Sequence, residues 1–261
     1  MHRMLAAALF LLFATPVFAA MQASPVEWKI GKQAFAGYVV YDDASKEVKP
    51  GIVMVPNWMG VNATAIEKAK RIAGDKYVIL LADVYGKGTN PKDHTEAKNA
   101  LQSAYAAPEG LAARVAKAVD VLRSQRGKVL LDADRIGAIG FCFGGGAVLD
   151  LARSGADVAG VVSFHGNLKA SVEPGPDGIK ASVLVLNGAD DASVPAADRS
   201  NFIKQMNETK ADWQFVDFGG TVHCFTEPEE TAEGNCRYNE RSATRAFRMM
   251  DDFFAERFAK K

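Results

Sequence analysis

The sequence has few cysteines, no excess of charge of either sign and, after its first twenty residues, no long hydrophobic run. Three cysteines in 261 residues are too few to hold such a chain together, so an apolar core must stabilise it. Lys and Arg number 31, as do Asp and Glu, whereas nucleic-acid binding draws on an excess of positive charge. We therefore expect no nucleic-acid partner. No later stretch is apolar over the roughly 18 residues of a membrane-spanning helix, so we expect no stable membrane association.

The first nineteen residues have the pattern of a secretory signal peptide. Arg3 supplies a positive charge, Leu5–Ala14 is an unbroken apolar run, and Val17–Ala19 places small residues at positions −3 and −1 of a cleavage site. The apolar run is about half as long as a helix that spans a bilayer. An uncleaved N-terminal anchor is the alternative. The sequence thus predicts an exported protein, periplasmic or secreted, whose mature chain is residues 20–261.

Residues 20–261 alternate strand-like and helical patterns, without an internal repeat or a linker that would divide them. An antiparallel hairpin is predicted first, from Trp28–Ile30 and Phe35–Tyr41 around a Gly-Lys turn. Buried strands that alternate with helices indicate one α/β domain, with a mostly parallel sheet covered on both faces. The predicted strands after the hairpin are Ile52–Val55, Tyr77–Leu81, Ile136–Ile139, Val158–Phe164, Val183–Leu186 and Gln214–Phe218. Helical patterns lie at Ala63–Ile72, Leu111–Arg123, Gly146–Arg153, Arg199–Met206 and Ser242–Phe258, and a surface loop is predicted at Gly86–His94.

The segment Gly140-Phe-Cys-Phe-Gly-Gly carries the clearest chemical signal, because it joins a predicted strand to a helix through a glycine-rich turn. A nucleophile on so sharp a turn needs neighbours without bulk two positions away, and Gly140 and Gly144 stand there around Cys142. The helix that follows directs its positive dipole end at the sulfur, which favours the thiolate. The N–H of Phe143 is placed to donate to an oxyanion. A cysteine that only packs and a glycine-rich anion cradle are the alternatives.

A nucleophile on this turn needs a histidine base and an acid, and in this architecture both follow it, each after a later strand. Of the four histidines, His223 follows a Gly-Gly turn after the last predicted strand, which suits a general base. Asp190 and Asp191 follow an earlier strand, and one of these adjacent carboxylates is expected to reach the imidazole. His165 ends a strand and is a candidate for the pocket wall, whereas His94 is expected to be a solvated loop residue.

Taken together, these segments resemble the dienelactone hydrolase family, a branch of the α/β-hydrolase fold whose members use Cys, Asp and His. The resemblance implies that Cys142 is the nucleophile, His223 the base and Asp191 the acid, because the family shows Asp-x-x-Val-Pro. It also implies that the N–H of Trp58 joins that of Phe143 as an oxyanion donor, with no cofactor and no metal. The resemblance extends from about Val26 to Phe258, with marker segments Gly51–Asn62, Ala82–Tyr85, Gly140–Gly145, Gly188–Pro195 and Gly219–His223 with Phe225.

The chain departs from this family at the expected substrate pocket. Asn57 stands where characterised dienelactone enzymes have a glutamate that helps to activate the thiol, so activation is left to His223 and the helix dipole. Glu227 and, in a looser alignment, Lys98 stand where arginines bind a substrate carboxylate. Because Glu227 should repel a carboxylate, we expect a neutral or cationic ester, lactone or acyl compound. The other side chains expected in the pocket are Trp58, Phe141, Phe143, His165 and Phe225.

Cys224 and Cys236 lie beside and a dozen residues beyond His223, in a chain expected to enter an oxidising compartment. We expect them to form a disulfide that leaves Cys142 as the free thiol, and two unpaired buried thiols are the alternative. These residues also have metal-ligand chemistry, but no CxxC or HxxxH spacing supports a metal site.

The sequence therefore predicts an exported hydrolase of carboxylic esters or lactones that acts through a thioester on Cys142. Its expected partner is a small-molecule substrate, and family habit suggests a monomer. Two other interpretations remain. One is a binding protein on the same fold with a weakly activated triad, because Asn57 replaces the family's glutamate. The other is a thiol redox protein in which Cys224 resolves an oxidised Cys142.

Overall fold

A computed structural model describes residues 21–259, so the predicted signal peptide lies outside the described residues. This part of the chain forms one eight-stranded sheet with helices on both faces. The strands are β1 Met21–Ile30, β2 Gln33–Asp42, β3 Lys49–Val55, β4 Val78–Leu81, β5 Leu131–Phe141, β6 Gly160–Phe164, β7 Ser182–Gly188 and β8 Trp213–Phe218. The helices are α1 Ala63–Ala73, α2 His94–Tyr105, α3 Leu111–Arg123, α4 Phe143–Arg153, α5 Ala196–Glu208 and α6 Glu240–Arg257.

The sheet is mostly parallel, with an antiparallel hairpin at one edge, which confirms the predicted fold class. Its strand order is β1-β2-β4-β3-β5-β6-β7-β8. Strands β1 and β2 pair antiparallel around the predicted turn, and β2 pairs antiparallel with β4. All the pairs from β4 to β8 are parallel. The carboxyl ends of β3, β5, β7 and β8 therefore share one edge of the sheet.

Apolar cores on both faces explain why the central strands lack alternating polarity. In β3, Val53 and Val55 pack into the core on one face, whereas Ile52 and Met54 pack into the core on the other. Every residue of β7 is buried. Since both faces are covered, a polar residue at every second position has no solvent to face, and the strands read as continuous apolar runs.

The structure adds one helix to the predicted elements and begins several other elements earlier. Strand β1 begins at Met21 rather than Trp28, and α5 begins at Ala196 rather than Arg199. Helix α2 was not predicted, although Asp93 caps it by accepting the N–H of Glu96 at 2.9 Å, and the Glu96 side chain accepts the N–H of Lys92, the residue before the cap, at 2.9 Å. An Asp that is followed three residues later by Glu is a sequence signal for a helix start. Helix α4 begins at Phe143 rather than at Gly146, because the tertiary structure of the turn outweighs the poor helix propensity of three consecutive glycines. Within residues 21–259, no helix has the length and apolar character to cross a membrane.

Candidate active site

Cys142 lies on a strained turn between β5 and α4, as the sequence pattern predicts for a nucleophile. Its backbone has φ 54° and ψ −116°, a conformation that residues with a side chain rarely adopt. A Cβ atom on Gly140 would lie 2.0 Å from the carbonyl oxygen of Gly144, and one on Gly144 would lie 2.2 Å from that of Val55. Glycine at both positions therefore allows the close backbone packing that holds Cys142 at the carboxyl edge of the sheet.

Asp191 binds the imidazole of His223, and the neighbouring Asp190 does not. The distance from Nδ1 of His223 to Oδ2 of Asp191 is 2.7 Å, and the N–H of Ser193 donates to Oδ1 of Asp191 at 2.8 Å. Asp191 is buried, whereas Asp190 is exposed. Burial raises the pKa of Asp191, but the hydrogen bond from His223 and the positive charge of that imidazole lower it by more. The pKa of Asp191 therefore lies below its usual value. Asp191 is thus a buried anion that fixes one face of the imidazole.

His223 lies between this carboxylate and Cys142. Burial lowers the pKa of His223, but the hydrogen bond with Asp191 and the interaction with Cys142 outweigh it and raise the pKa to about 10. An imidazole that is hydrogen-bonded to a carboxylate keeps its proton at neutral pH. The arrangement can therefore stabilise a thiolate and store the proton that a leaving group needs.

Two backbone N–H groups are available near Cys142. Among residues 21–259, neither the N–H of Trp58 nor that of Phe143 donates to a protein acceptor. Phe143 is the first residue of α4, where an N–H has no partner within the helix. The Trp58 carbonyl accepts a hydrogen bond from the Tyr85 hydroxyl at 2.9 Å, which restrains the peptide that follows β3. Both groups have the chemistry of oxyanion donors.

A cavity of about 350 Å³ opens over Cys142. Its wall includes Asn57, Trp58 and Phe141, all of which the sequence analysis expected in the pocket. His94 also lines it and stacks on Trp58, with ring centroids 5.1 Å apart. His94 was predicted to be a solvated loop residue; it is exposed, but it lies at the cavity because α2 begins there.

Lys68 and Glu227 form a buried ion pair in the cavity wall. Only 4% of Lys68 and 2% of Glu227 are exposed, and the ammonium group contacts Oε2 of Glu227. Burial raises the pKa of Glu227, although the charge of Lys68 opposes this. The sequence analysis placed Glu227 in the pocket but treated its charge as free to repel a carboxylate. That expectation was wrong, because Lys68 compensates the charge from a helix 159 residues away in the sequence.

Comparison with known proteins agrees with this geometry. The model of the dienelactone hydrolase family matches residues 35–258, which is most of the chain. The chain belongs to this family. It is therefore a hydrolase with the α/β-hydrolase fold.

Three relatives show how much of the chain this similarity covers. The solved structure of m3DLH is 32% identical, with a TM-score of 0.85 over 92% of this chain and 100% of that one. A dienelactone hydrolase-like promiscuous phosphotriesterase from metagenomic libraries is 31% identical, with a TM-score of 0.83 over the same shares. The human carboxymethylenebutenolidase homolog is 29% identical over 161 residues, which is 60% of this chain and 62% of that protein. The family match thus includes all the strands that carry the candidate site.

Four residues predicted for the pocket of this dienelactone hydrolase family member do not line the cavity: Lys98, Phe143, His165 and Phe225. Phe143 is buried and stacks on Tyr85, with ring centroids 5.4 Å apart. Lys98 is exposed on α2, whose cavity contact is made by His94 instead. Phe225 is fully buried against His165, with ring centroids 5.3 Å apart. His165 is also fully buried, and burial holds its pKa well below the usual value. Both His165 and Phe225 therefore lie in the core behind the cavity wall. There the His165 ring packs edge-on against that of His223, with ring centroids 5.0 Å apart.

Cys224 and Cys236 are joined by a disulfide in the cavity wall, and their Cα atoms are 4.8 Å apart. Cys142 is the free cysteine. The N–H of Arg237, next to the disulfide, donates to the carbonyl of His223 at 3.0 Å. The disulfide therefore closes the loop that follows the histidine. Residues 21–259 contain no group of three His, Cys, Asp or Glu side chains with the geometry of a metal site.

Removing this disulfide is expected to destabilise the fold. A Cys224→Ser/Cys236→Ser variant should lose about 3 kcal/mol of unfolding free energy, because the open chain regains the entropy of a loop of this length. Urea denaturation, with and without reductant, measures the loss. Reductant should lower the midpoint of the wild type and leave that of the double variant unchanged, and equal midpoints for both proteins in oxidising buffer would contradict the prediction.

Proposed function

We propose that the protein is an exported hydrolase of carboxylic esters or lactones that acts through a thioester on Cys142. The observation that carries this proposal is the position of His223, with Asp191 at 2.7 Å on Nδ1 and Cys142 as its other polar neighbour. All three side chains follow the carboxyl ends of parallel strands, and Cys142 lines the cavity. Membership of the dienelactone hydrolase family supports the reaction class.

The proposed reaction begins with attack of the Cys142 thiolate on the carbonyl carbon of the substrate. The carbonyl oxygen becomes an oxyanion, which accepts hydrogen bonds from the N–H groups of Trp58 and Phe143. When the oxyanion collapses, the carbon–oxygen bond to the leaving alcohol breaks, and the His223 imidazolium gives its proton to that oxygen. The product of this half-reaction is a thioester on Cys142, with His223 now neutral.

The second half-reaction hydrolyses the thioester. Neutral His223 takes a proton from a water molecule, whose oxygen attacks the thioester carbon. The second oxyanion collapses, the carbon–sulfur bond breaks, and the thiolate of Cys142 returns beside the imidazolium. Asp191 stays ionised throughout, because it holds the tautomer and stabilises the positive imidazole.

The charge of the cavity wall favours substrates without a negative group. Glu229 and Glu230 line the cavity together with Glu227. In the part of the chain that the structure describes, Lys68 pairs with Glu227, and no basic side chain forms a salt bridge with Glu229 or Glu230. We propose that these two carboxylates repel an anionic acyl group. Neutral and cationic esters or lactones are the preferred substrates.

A panel of three p-nitrophenyl esters tests both the activity and this preference. The butyrate is neutral, the succinate carries an anionic acyl group, and the 4-(trimethylammonio)butyrate is its cationic counterpart. We expect kcat/KM for the succinate to be about tenfold lower than for the other two at low salt, with a smaller difference at high salt. A preference for the succinate would contradict the proposed substrate class. Equal hydrolysis rates for wild type and a Cys142→Ala variant on every ester would favour the alternative interpretation, a binding protein on this fold.

The disulfide bears on the proposed export and on the interpretation as a thiol redox protein. Disulfides persist in oxidising compartments, which supports export through the predicted signal peptide. A redox function would need Cys224 as a thiol that resolves oxidised Cys142, but Cys224 is bonded to Cys236. The structure therefore gives that function no available partner thiol.

A further inference from the structure

We propose that Glu227, held by Lys68, is a positioning residue that acts through Asn57 on the oxyanion loop, defined as residues 56–60. This inference rests on the proposed function, in which Trp58 of that loop supplies an oxyanion donor. Glu227 would thus act on the stabilisation of the oxyanion without touching the substrate carbonyl.

The Lys68–Glu227 pair joins three separate segments of the chain at the cavity. Lys68 comes from α1, Glu227 from the segment after β8, and Asn57 from the segment after β3. The ammonium of Lys68 contacts Oε2 of Glu227 and also lies 4.4 Å from the centre of the Phe141 ring. Because both charges are buried, neither can leave the other without a large desolvation cost. The Glu227 carboxylate is consequently held in one place.

Asn57 connects the fixed Glu227 carboxylate to the oxyanion loop, because one end of its side-chain amide donates hydrogen bonds and the other end accepts them. Its Nδ2 donates to Oε2 of Glu227 at 3.3 Å, and its Oδ1 accepts the N–H of Met59 at 3.0 Å. A carboxylate only accepts hydrogen bonds, so it requires the NH₂ end of the amide and leaves the oxygen for Met59. The backbone oxygen of Asn57 also accepts the N–H of Gly60 at 2.9 Å. Trp58 lies between these two anchored positions.

Glu227 is also connected to the imidazole of the site. Its N–H donates to the carbonyl of Cys224 at 2.8 Å, one residue after His223. Thr226 next to it contacts Nε2 of His165 at 2.8 Å, and the ring of His165 packs against that of His223. One buried network therefore reaches both the imidazole and the oxyanion loop, and a change at Glu227 should alter the chemical step more than substrate binding.

Two double variants separate positioning from a merely structural ion pair. Lys68→Met/Glu227→Gln removes both charges but keeps an amide oxygen that accepts from Asn57. Lys68→Glu/Glu227→Lys keeps a buried ion pair but replaces the acceptor by an ammonium, which only donates. Asn57 must then turn its oxygen towards that ammonium, and the N–H of Met59 loses its acceptor.

We expect kcat for p-nitrophenyl butyrate to be about tenfold or more lower in the reversed pair than in the neutral pair. KM should differ little between the two variants, because a displaced oxyanion donor acts on the transition state. Amide hydrogen exchange at Met59 should be faster in the reversed pair only. Asn57→Ala removes both side-chain hydrogen bonds while leaving the ion pair intact, and it should reproduce the lower kcat and the faster exchange.

The opposite order, with the reversed pair active and Met59 protected while the neutral pair is impaired, would overturn the inference. So would an Asn57→Ala variant with wild-type kcat. Circular dichroism and the thermal midpoint verify that each variant is folded. If the folded wild type hydrolyses none of the esters, the proposed function fails, and the exchange rate of Met59 still decides whether Glu227 positions the loop.

Discussion

Replacement of Cys142 by alanine is expected to lower kcat/KM for p-nitrophenyl butyrate by about 10⁴-fold or more, because the proposed acyl-enzyme forms on the Cys142 sulfur. The same change should lower the pKa of His223 from about 10, since the interaction with Cys142 is one of the two that raise it. Steady-state kinetics measures the first effect, and a titration of the His223 ring signals by NMR measures the second.

These two readouts check each other. A loss of activity with an unchanged pKa of His223 would mean that the sulfur and the imidazole do not interact at rest. Wild-type activity in the folded alanine variant would remove Cys142 from the reaction. A Cys224→Ser/Cys236→Ser variant is the matched control, because it changes the other two cysteines and keeps the proposed nucleophile.

Replacement of Asp191 by asparagine is expected to lower kcat by about 10³- to 10⁴-fold, because an amide that donates to Nδ1 stabilises the wrong tautomer of His223. The side chain keeps its size, so the fold should persist. The adjacent Asp190 gives a matched control: it is exposed, and His223 binds Asp191 instead. Asp190→Asn should keep kcat within about twofold of wild type, as surface substitutions generally do.

The comparison of the two aspartate variants decides which carboxylate orients the imidazole. Asp191→Asn should also lower the pKa of His223, because the hydrogen bond and charge of Asp191 raise it. Equal losses of activity in the two variants, or a loss confined to Asp190→Asn, would contradict the assignment.

The order of the strands and the sharp turn at Cys142 were predictable because their sequence signals are local. Continuous apolar runs indicated the buried parallel strands, and Gly140 and Gly144 marked the turn at Cys142. The choice of Asp191 over Asp190 came from the family's Asp-x-x-Val-Pro pattern, and the structure places that side chain on His223. Helix α2 was missed even though its capping residues were visible in the sequence.

The cavity wall was only partly predictable because its composition depends on contacts between distant segments. Nothing near Glu227 in the sequence indicates that Lys68 pairs with it, and the expected repulsion of carboxylates therefore rested on the wrong acid. His94 and Phe225 were also mispredicted for this reason: His94 was not expected at the cavity, and Phe225 was. The start of α2 brings His94 to the cavity, whereas packing against His165 withdraws Phe225 from it.

Trapping the acyl-enzyme tests the central claim most directly. Wild-type protein mixed with excess p-nitrophenyl acetate is quenched in acid within the first turnovers, digested at low pH to preserve thioesters, and analysed by mass spectrometry. The account predicts one acetyl group, located on the peptide that contains Cys142 and released by hydroxylamine at neutral pH, and no such group in the Cys142→Ala variant. Acetylation of a different residue during turnover, with Cys142 unmodified, would contradict it.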